Sequence, residues 1–174
     1  MIKGEKIRLD IHKILFSIYK FNKTLNSNSI KKIISKYEDS DINFLHTVLL
    51  NSMRYQYHIA KIMDLYVHKK IREQEKILLL SSITQIVFLN FKDYAVINCS
   101  VEIAKKLKIY HGFINACLKN ICKNKRELAK VEISYNDFPN WFKNKTVDIS
   151  DIDKKLFIAT FNQESSIHLV FKNN

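Results

Sequence analysis

The stretch Asp93–Cys122, DYAVINCSVEIAKKLKIYHGFINACLKNIC, decides the fold of this chain. Ile97, Val101 and Ala104 recur at helical spacing, so the first half predicts a helix with one apolar face. Gly112 predicts a turn, because glycine adopts unusual backbone angles at little energetic cost. The apolar pattern then restarts. The stretch therefore predicts two helices joined by a short turn, with a basic outer surface.

Two asparagines stand near the predicted starts of these helices, Asn98 in the first and Asn115 in the second. A side-chain amide at such a place can bond a free backbone group or the facing helix. We expect both to fix the helix pair. Asn115 lies in an apolar run, so its amide is expected to be buried and hydrogen-bonded.

The composition favours long helices. The chain has 174 residues, of which 47% are hydrophobic, with only two glycines and one proline. So few turn-forming residues argue against a β-sandwich or β-barrel. No apolar run approaches the length that spans a bilayer, and no signal peptide is visible, so we expect a cytoplasmic protein.

The pattern of apolar residues along the chain predicts an all-α bundle of about seven helices with a short C-terminal tail. We expect a domain over residues 1–130 and a tail or linker over residues 131–174. The first predicted elements are an amphipathic helix around 7–18 and a short helix at Ile30–Tyr37. A long helix follows from Ser40 or Asp41 to about Val67, and then a buried helix over Lys76–Phe91. The two helices of the hairpin come last and end near Leu128. The tail predicts a turn at Phe138–Trp141, a short helix near Asp151–Phe161 and an extended segment at Ile167–Lys172.

The hairpin resembles the NusB family. The residues that carry the resemblance are Asn98, Val101, Glu102, Ala104 and Lys105, then Phe113, Ile114, Asn115, Ala116 and Leu118, with weaker matches at Arg8, Leu15, Arg54 and Gln85. The position after Asn98 is usually acidic in the family and is Cys99 here. The resemblance implies an RNA-binding helical bundle with basic RNA contacts at the N-terminus.

The residues of the tail resemble one particular group of proteins that contain a NusB-like domain. Phe138-Pro139-Asn140-Trp141, Asn162-Gln163-Glu164 and Ile167–Asn173 resemble the segment that follows the NusB-like domain in ribosomal RNA cytosine-C5 methyltransferases of the RsmB (Sun) type. In those enzymes this segment leads into the catalytic domain. Trp141 is expected to dock the tail onto the bundle.

Catalysis has little support in these residues. The cysteines are Cys99, Cys117 and Cys122, which form no Cys-x-x-Cys pair, and the six histidines show no metal spacing. No Gly-rich turn could hold a methyl-donor cofactor. The Pro-Cys nucleophile that the resemblance implies for the RsmB-type catalytic domain is absent, since the one proline, Pro139, is followed by Asn140. We therefore expect a non-enzymatic chain with no cofactor and no metal.

The net charge of +12 is unevenly placed. Residues 1–130 hold 24 Lys and Arg against 11 Asp and Glu, whereas residues 131–174 hold 5 against 6. A basic body suits an RNA-binding surface. An AT-rich genome is the alternative source of the lysines, since only four of the 29 basic residues are Arg. That bias leaves the neutral tail unexplained.

Three basic clusters are the predicted RNA-binding residues, since phosphates attract cations and unstacked bases stack on aromatic rings. They are Lys3, Lys6, Arg8 and Lys13 in the first; Lys105, Lys106 and Lys108 in the second; and Lys119, Lys123 and Arg126, with Lys125, in the third. Tyr110 and His111 are possible stacking groups.

Three functions remain open at this point. The first is a domain that positions ribosomal RNA for an RsmB-type methyltransferase. The second is a transcription antitermination factor that binds leader RNA together with a small-subunit ribosomal protein. The third is a helical homodimer with no RNA role. The residues of the tail favour the first.

Overall fold

The computed structural model describes residues 3–161, and this part of the chain is all-α, as predicted. It divides into two compact units, with the boundary between Glu132 and Ile133. The first unit contains α1 (Lys3–Phe21), α2 (Asn28–Ile34), α3 (Asp39–Arg54), α4 (Gln56–Tyr66), α5 (Glu73–Ile83), a π-helical turn (Thr84–Phe88), α6 (Asp93–Lys106), α7 (His111–Lys123) and α8 (Lys125–Leu128).

The apolar stripe of α1 faces the core. Ile11, Ile14 and Leu15 are fully buried, whereas Lys6 and Lys13 lie on the exposed side. Burying one such aliphatic side chain contributes roughly 1.5–3 kcal/mol. This stripe fixes which side of α1 faces solvent.

Helix α5 lies at the centre of the bundle and packs against α1, α3, α4, α6 and α7. Its residues Ile77–Leu80 are buried, as its continuous apolar character predicted. The helix predicted over Lys76–Phe91 is present, but from Thr84 it continues as a π-helical turn and ends at Phe88. In that turn the Leu89 N–H donates to the Thr84 carbonyl at 3.0 Å.

The predicted long helix that ends near Val67 is wrong. It begins at Asp39 and breaks at Tyr55, which separates α3 from α4. The Tyr55 ring stacks flat on the Phe88 ring, with centroids 4.1 Å apart. Helical periodicity continues across Tyr55, so the sequence pattern could not reveal this tertiary contact.

Helices α6 and α7 form the predicted hairpin, but Gly112 does not make its turn. Helix α7 already begins at His111, and Lys108 adopts the left-handed conformation, with φ of 54°. The predicted continuation of the last helix to Leu128 is interrupted at Asn124, which separates α7 from α8.

The second unit is described over residues 133–161. It contains a short 3-10 helix (Tyr135–Asp137), α9 (Asn140–Lys145) and α10 (Asp151–Phe161). Helix α10 occupies the predicted range. Phe138 is buried among the rings of Phe142, Phe157 and Phe161, at centroid distances of 5.1–5.4 Å.

Two predictions for the tail remain untested. Trp141 belongs to α9 and is 67% exposed, and its role in docking the tail stays a prediction. The predicted extended segment Ile167–Lys172 lies outside the described residues. Over residues 3–161, every helix is too short or too polar to cross a membrane.

Candidate nucleic-acid interface

The structure separates the first predicted cluster into engaged and available side chains. Lys3 pairs with Asp41 at 3.0 Å, and Lys13 pairs with Asp10 at 2.8 Å. Both lysines are exposed, but Asp10 is buried, so the Lys3 pair is the weaker and more exchangeable of the two. Lys6 is exposed and has no ionic partner among residues 3–161.

Arg8 differs from these lysines because its guanidinium is half-buried within the bundle. Its Nε donates to Oε1 of Gln85 at 2.7 Å, and its Nη1 donates to the Gly4 carbonyl at 3.0 Å. Its Cζ lies 5.0 Å from the centroid of the Phe44 ring, in cation–π geometry. Arg8 therefore joins α1 to α3 and to the π-helical turn.

The amide of Gln85 is fixed from its other side as well. Its Nε2 donates to the Ser81 carbonyl at 2.9 Å, so the carbonyl oxygen faces Arg8. Arg8 and Gln85 are two of the weaker matches to the family pattern. They lie 77 residues apart in the sequence, and the fold brings their side chains into contact. Their contact identifies them as a structural pair.

The Cys99 side chain lies beside the same guanidinium. Burial lowers the pKa of Arg8, and the neighbouring Cys99 opposes that shift. The partners of the Arg8 guanidinium are thus Cys99, the Gln85 amide and the Gly4 carbonyl, and no carboxylate between residues 3 and 161 pairs with it.

The C-terminal end of α6 approaches the N-terminal end of α1. Lys106 forms an ion pair with the largely buried carboxylate of Glu5, and Lys105 pairs with Glu102 at 2.6 Å. Lys108 is exposed and has no ionic partner in the described part of the chain. The first two predicted clusters therefore meet at one end of the bundle.

An aromatic group lies at this same end. Tyr110 is 61% exposed, and the Lys69 Nζ lies 5.3 Å from its ring centroid and 4.4 Å from that of Phe113. A Cβ at Gly112 would lie 3.2 Å from the Tyr110 ring, so a larger residue there would shift this exposed ring by a few tenths of an ångström. Sequence reasoning missed Lys69, because nothing local places it beside Tyr110.

We call this region the turn-end surface. It comprises Lys6, Lys69, Lys105, Lys108, Tyr110 and His111. It combines several exposed cations with an exposed ring, which is the combination that unpaired nucleotides need for phosphate attraction and base stacking.

The third predicted cluster lies at the other end of the hairpin. Lys125 reaches back to Asp93 at 3.0 Å, which shows that α7 runs antiparallel to α6. The hairpin is about 20 Å long at 1.5 Å per residue. We call Lys119, Lys123 and Arg126 the opposite-end surface; all three are exposed.

The two asparagines do not fix the helix pair as expected. Asn98 is exposed on α6, and Asn115 is only half-buried on α7. Neither amide has a hydrogen-bond partner among residues 3–161, so the expected structural role of both is wrong. Helix α7 begins at His111, before Gly112, so Asn115 lies further into the helix than the sequence pattern indicated.

The described residues form no metal site, and two of the three cysteines are neutral thiols. No three His, Cys, Asp or Glu side chains between residues 3 and 161 are placed to hold a metal ion. Burial raises the pKa of Cys117 and of Cys122 to about 11, so both side chains are neutral thiols at physiological pH.

Comparisons with known proteins place the bundle in a family. A search of curated proteins found no match. The model of the NusB family matches residues 5–123, which cover most of α1 and extend to the end of α7. The match includes the α6–α7 hairpin and the contact between Arg8 and Gln85. The chain belongs to the NusB family.

Proposed function

We propose that the helical bundle binds single-stranded RNA through the turn-end surface and carries out no chemistry itself. The observation that carries the proposal is the position of Lys69 over the rings of Tyr110 and Phe113, beside the exposed Lys108. Membership of the NusB family supports an RNA-binding role related to antitermination. The charge of the first 130 residues supports it as well.

Each part of the surface has a separate task. Lys6, Lys69, Lys105 and Lys108 attract phosphates, and this attraction weakens as salt rises. The exposed face of Tyr110 stacks on an unpaired base, an interaction worth about 1–3 kcal/mol. Lys69 holds the Tyr110 ring from one side and adds positive charge.

The test is a titration of fluorescein-labelled oligouridine, followed by fluorescence anisotropy at low and moderate salt. The variant K6E/K69E/K108E should lower the salt slope by about 2, since each lost phosphate contact on a single strand removes about 0.7. Its matched control is K31E/K32E/K36E, which makes the same change of charge with three exposed lysines in and just after α2. Equal losses in both variants, or no binding by the parent, would contradict the proposal.

Within this role we favour a domain that positions ribosomal RNA for an RsmB-type methyltransferase. The support is the compact second unit, which follows the bundle and carries the Phe138–Trp141 segment on which that resemblance rests. An antitermination factor acting with a small-subunit ribosomal protein is the second candidate. It is favoured by the family match, which stops at Lys123 before the second unit begins.

Reconstitution separates these two roles. The chain is added to a separately expressed RsmB-type catalytic domain, and methylation of ribosomal RNA is measured. Recovery of methylation supports the positioning role. Absence of recovery, together with binding to a small-subunit ribosomal protein, supports the antitermination role.

The proposal also excludes methyl transfer by this chain alone. Isothermal titration with S-adenosylmethionine should show no binding. Saturable binding at micromolar concentration would contradict that expectation, because it would require a cofactor site that the described residues do not form.

A further inference from the structure

A row of polar side chains connects the two ends of α7. His111, Asn115, Lys119 and Lys123 recur at intervals of four residues, and residues so spaced are neighbours on a helix surface. His111, Lys119 and Lys123 are exposed, and Asn115 is half-buried. The apolar residues of the helix, including Ile114, Leu118 and Ile121, are buried on another face.

Asn115 differs from buried polar residues of the bundle such as Gln85 and Ser82, whose side chains are hydrogen-bonded within the fold. The amide of Gln85 is bonded to Arg8 and to the Ser81 carbonyl, and Ser82 is bonded to Ser100 at 2.7 Å. The Asn115 amide has no such partner within residues 3–161. It offers both a donor and an acceptor at the middle of the row, which are the groups that read the edge of an unpaired base.

The opposite-end surface is held in a fixed shape by contacts to neighbouring helices. Asn124, at the break between α7 and α8, donates to the Tyr66 hydroxyl at 3.0 Å. Lys125 is held by Asp93 and by Asn90. Lys123 and Arg126 are among the residues 122–127 that line a surface cleft beside these anchors.

The charge around this cleft is predominantly positive. Residues 119–130 contain five basic residues and one acid, Glu127. Of the basic residues, only Lys125 is paired with a carboxylate within the described range. Lys119, Lys123 and Arg126 are therefore available to phosphates.

We propose that one RNA strand runs from the turn-end surface along the α7 row to the opposite-end surface. Asn115 bonds a base edge, and Lys119, Lys123 and Arg126 contact phosphates. The inference rests on the proposed function and specifies its substrate as a base-stacked single strand long enough to reach both surfaces. A stacked strand advances about 3.4 Å per nucleotide, so about six nucleotides are needed to bridge about 20 Å.

The experiment compares oligouridines of roughly four and roughly twelve nucleotides, which fall below and above this length. The full chain should bind the longer strand with a steeper salt dependence than the shorter one. The difference in salt slope between the longer and the shorter strand, expected to be about 2 for the parent, should disappear in K119E/K123E/R126E. The control K31E/K32E/K36E should keep it.

The outcomes separate the inference from the proposed function. If the parent binds neither oligomer, the proposed function is wrong. If it binds both with the same slope, or if K119E/K123E/R126E behaves like the control on the longer strand, the inference is wrong and the proposed function stands. Should the charge reversals prevent folding, K119Q/K123Q/R126Q provides the same comparison with a smaller change of charge.

Discussion

The two sides of α1 carry similar polar residues and use them differently. On the buried side, Arg8 is bonded to Gln85, and Asp10 accepts from the Tyr37 hydroxyl at 2.7 Å. On the exposed side, Lys6 has no ionic partner among residues 3–161. The comparison teaches that position around the helix, and not charge, separates a structural residue from one available to a ligand.

The largest effect is expected from acid, acting on the buried side at His12. Burial lowers the pKa of His12 to about 4, and its Nδ1 has no partner among residues 3–161. The unfolded chain binds this proton below about pH 6.5 and the folded chain does not, so stability falls as pH falls from 6.5 to 4. The loss should reach roughly 3 kcal/mol.

Urea unfolding of the parent and of His12→Leu at neutral pH and at about pH 4 measures this loss. The substitution should remove the contribution of His12 to the pH dependence, whereas His46→Leu, at an exposed histidine, should keep it. Equal pH dependence of stability in the parent and in His12→Leu would show that burial of His12 does not cause the loss of stability in acid.

The next effect concerns Arg8. Arg8→Leu should reduce the free energy of unfolding by about 2 kcal/mol, because it removes a charged hydrogen bond and leaves Oε1 of Gln85 without its donor. Lys6→Leu, two residues away on the exposed side, should change it by less than about 0.5 kcal/mol. Chemical denaturation of both variants tests the contrast, and similar losses in the two would mean that α1 has no functional division between its sides.

A smaller effect on stability is expected for the turn-end surface. K6E/K69E/K108E should lower the free energy of unfolding by no more than about 1 kcal/mol, mostly through the lost cation–π contact of Lys69. Thermal unfolding measured beside the RNA titration is the check. A large loss of stability with unchanged RNA affinity would assign these lysines to the fold.

The smallest effect is expected at Asn115. Because its amide is half-buried and unpartnered within the described residues, Asn115→Leu should change the free energy of unfolding by less than about 0.5 kcal/mol. A hydrogen-bonded, buried amide would instead produce a loss of about 1–3 kcal/mol. Denaturant unfolding distinguishes these values, and the larger one would return Asn115 to the structural role that the sequence suggested.

Local patterns predicted much of the fold. The apolar stripe of α1, the buried character of α5 and the bounds of α10 all follow from the spacing of apolar residues. The helix breaks at Tyr55 and Asn124 could not be predicted in this way. Both residues sit within continuous helical periodicity, and their contacts with Phe88 and Tyr66 come from other helices.

By itself, the sequence determined the helical class, the apolar faces of the helices and the concentration of positive charge before residue 130, because these depend only on composition and spacing. The tertiary structure alone decided which charges are available. Lys106 meets Glu5 across 101 positions, and Arg8 meets Gln85 across 77. Lys69 lies between α4 and α5, and its Nζ contacts the ring of Tyr110, which lies between α6 and α7. Such contacts depend on how helices pack, and helix packing joins residues that no local pattern relates.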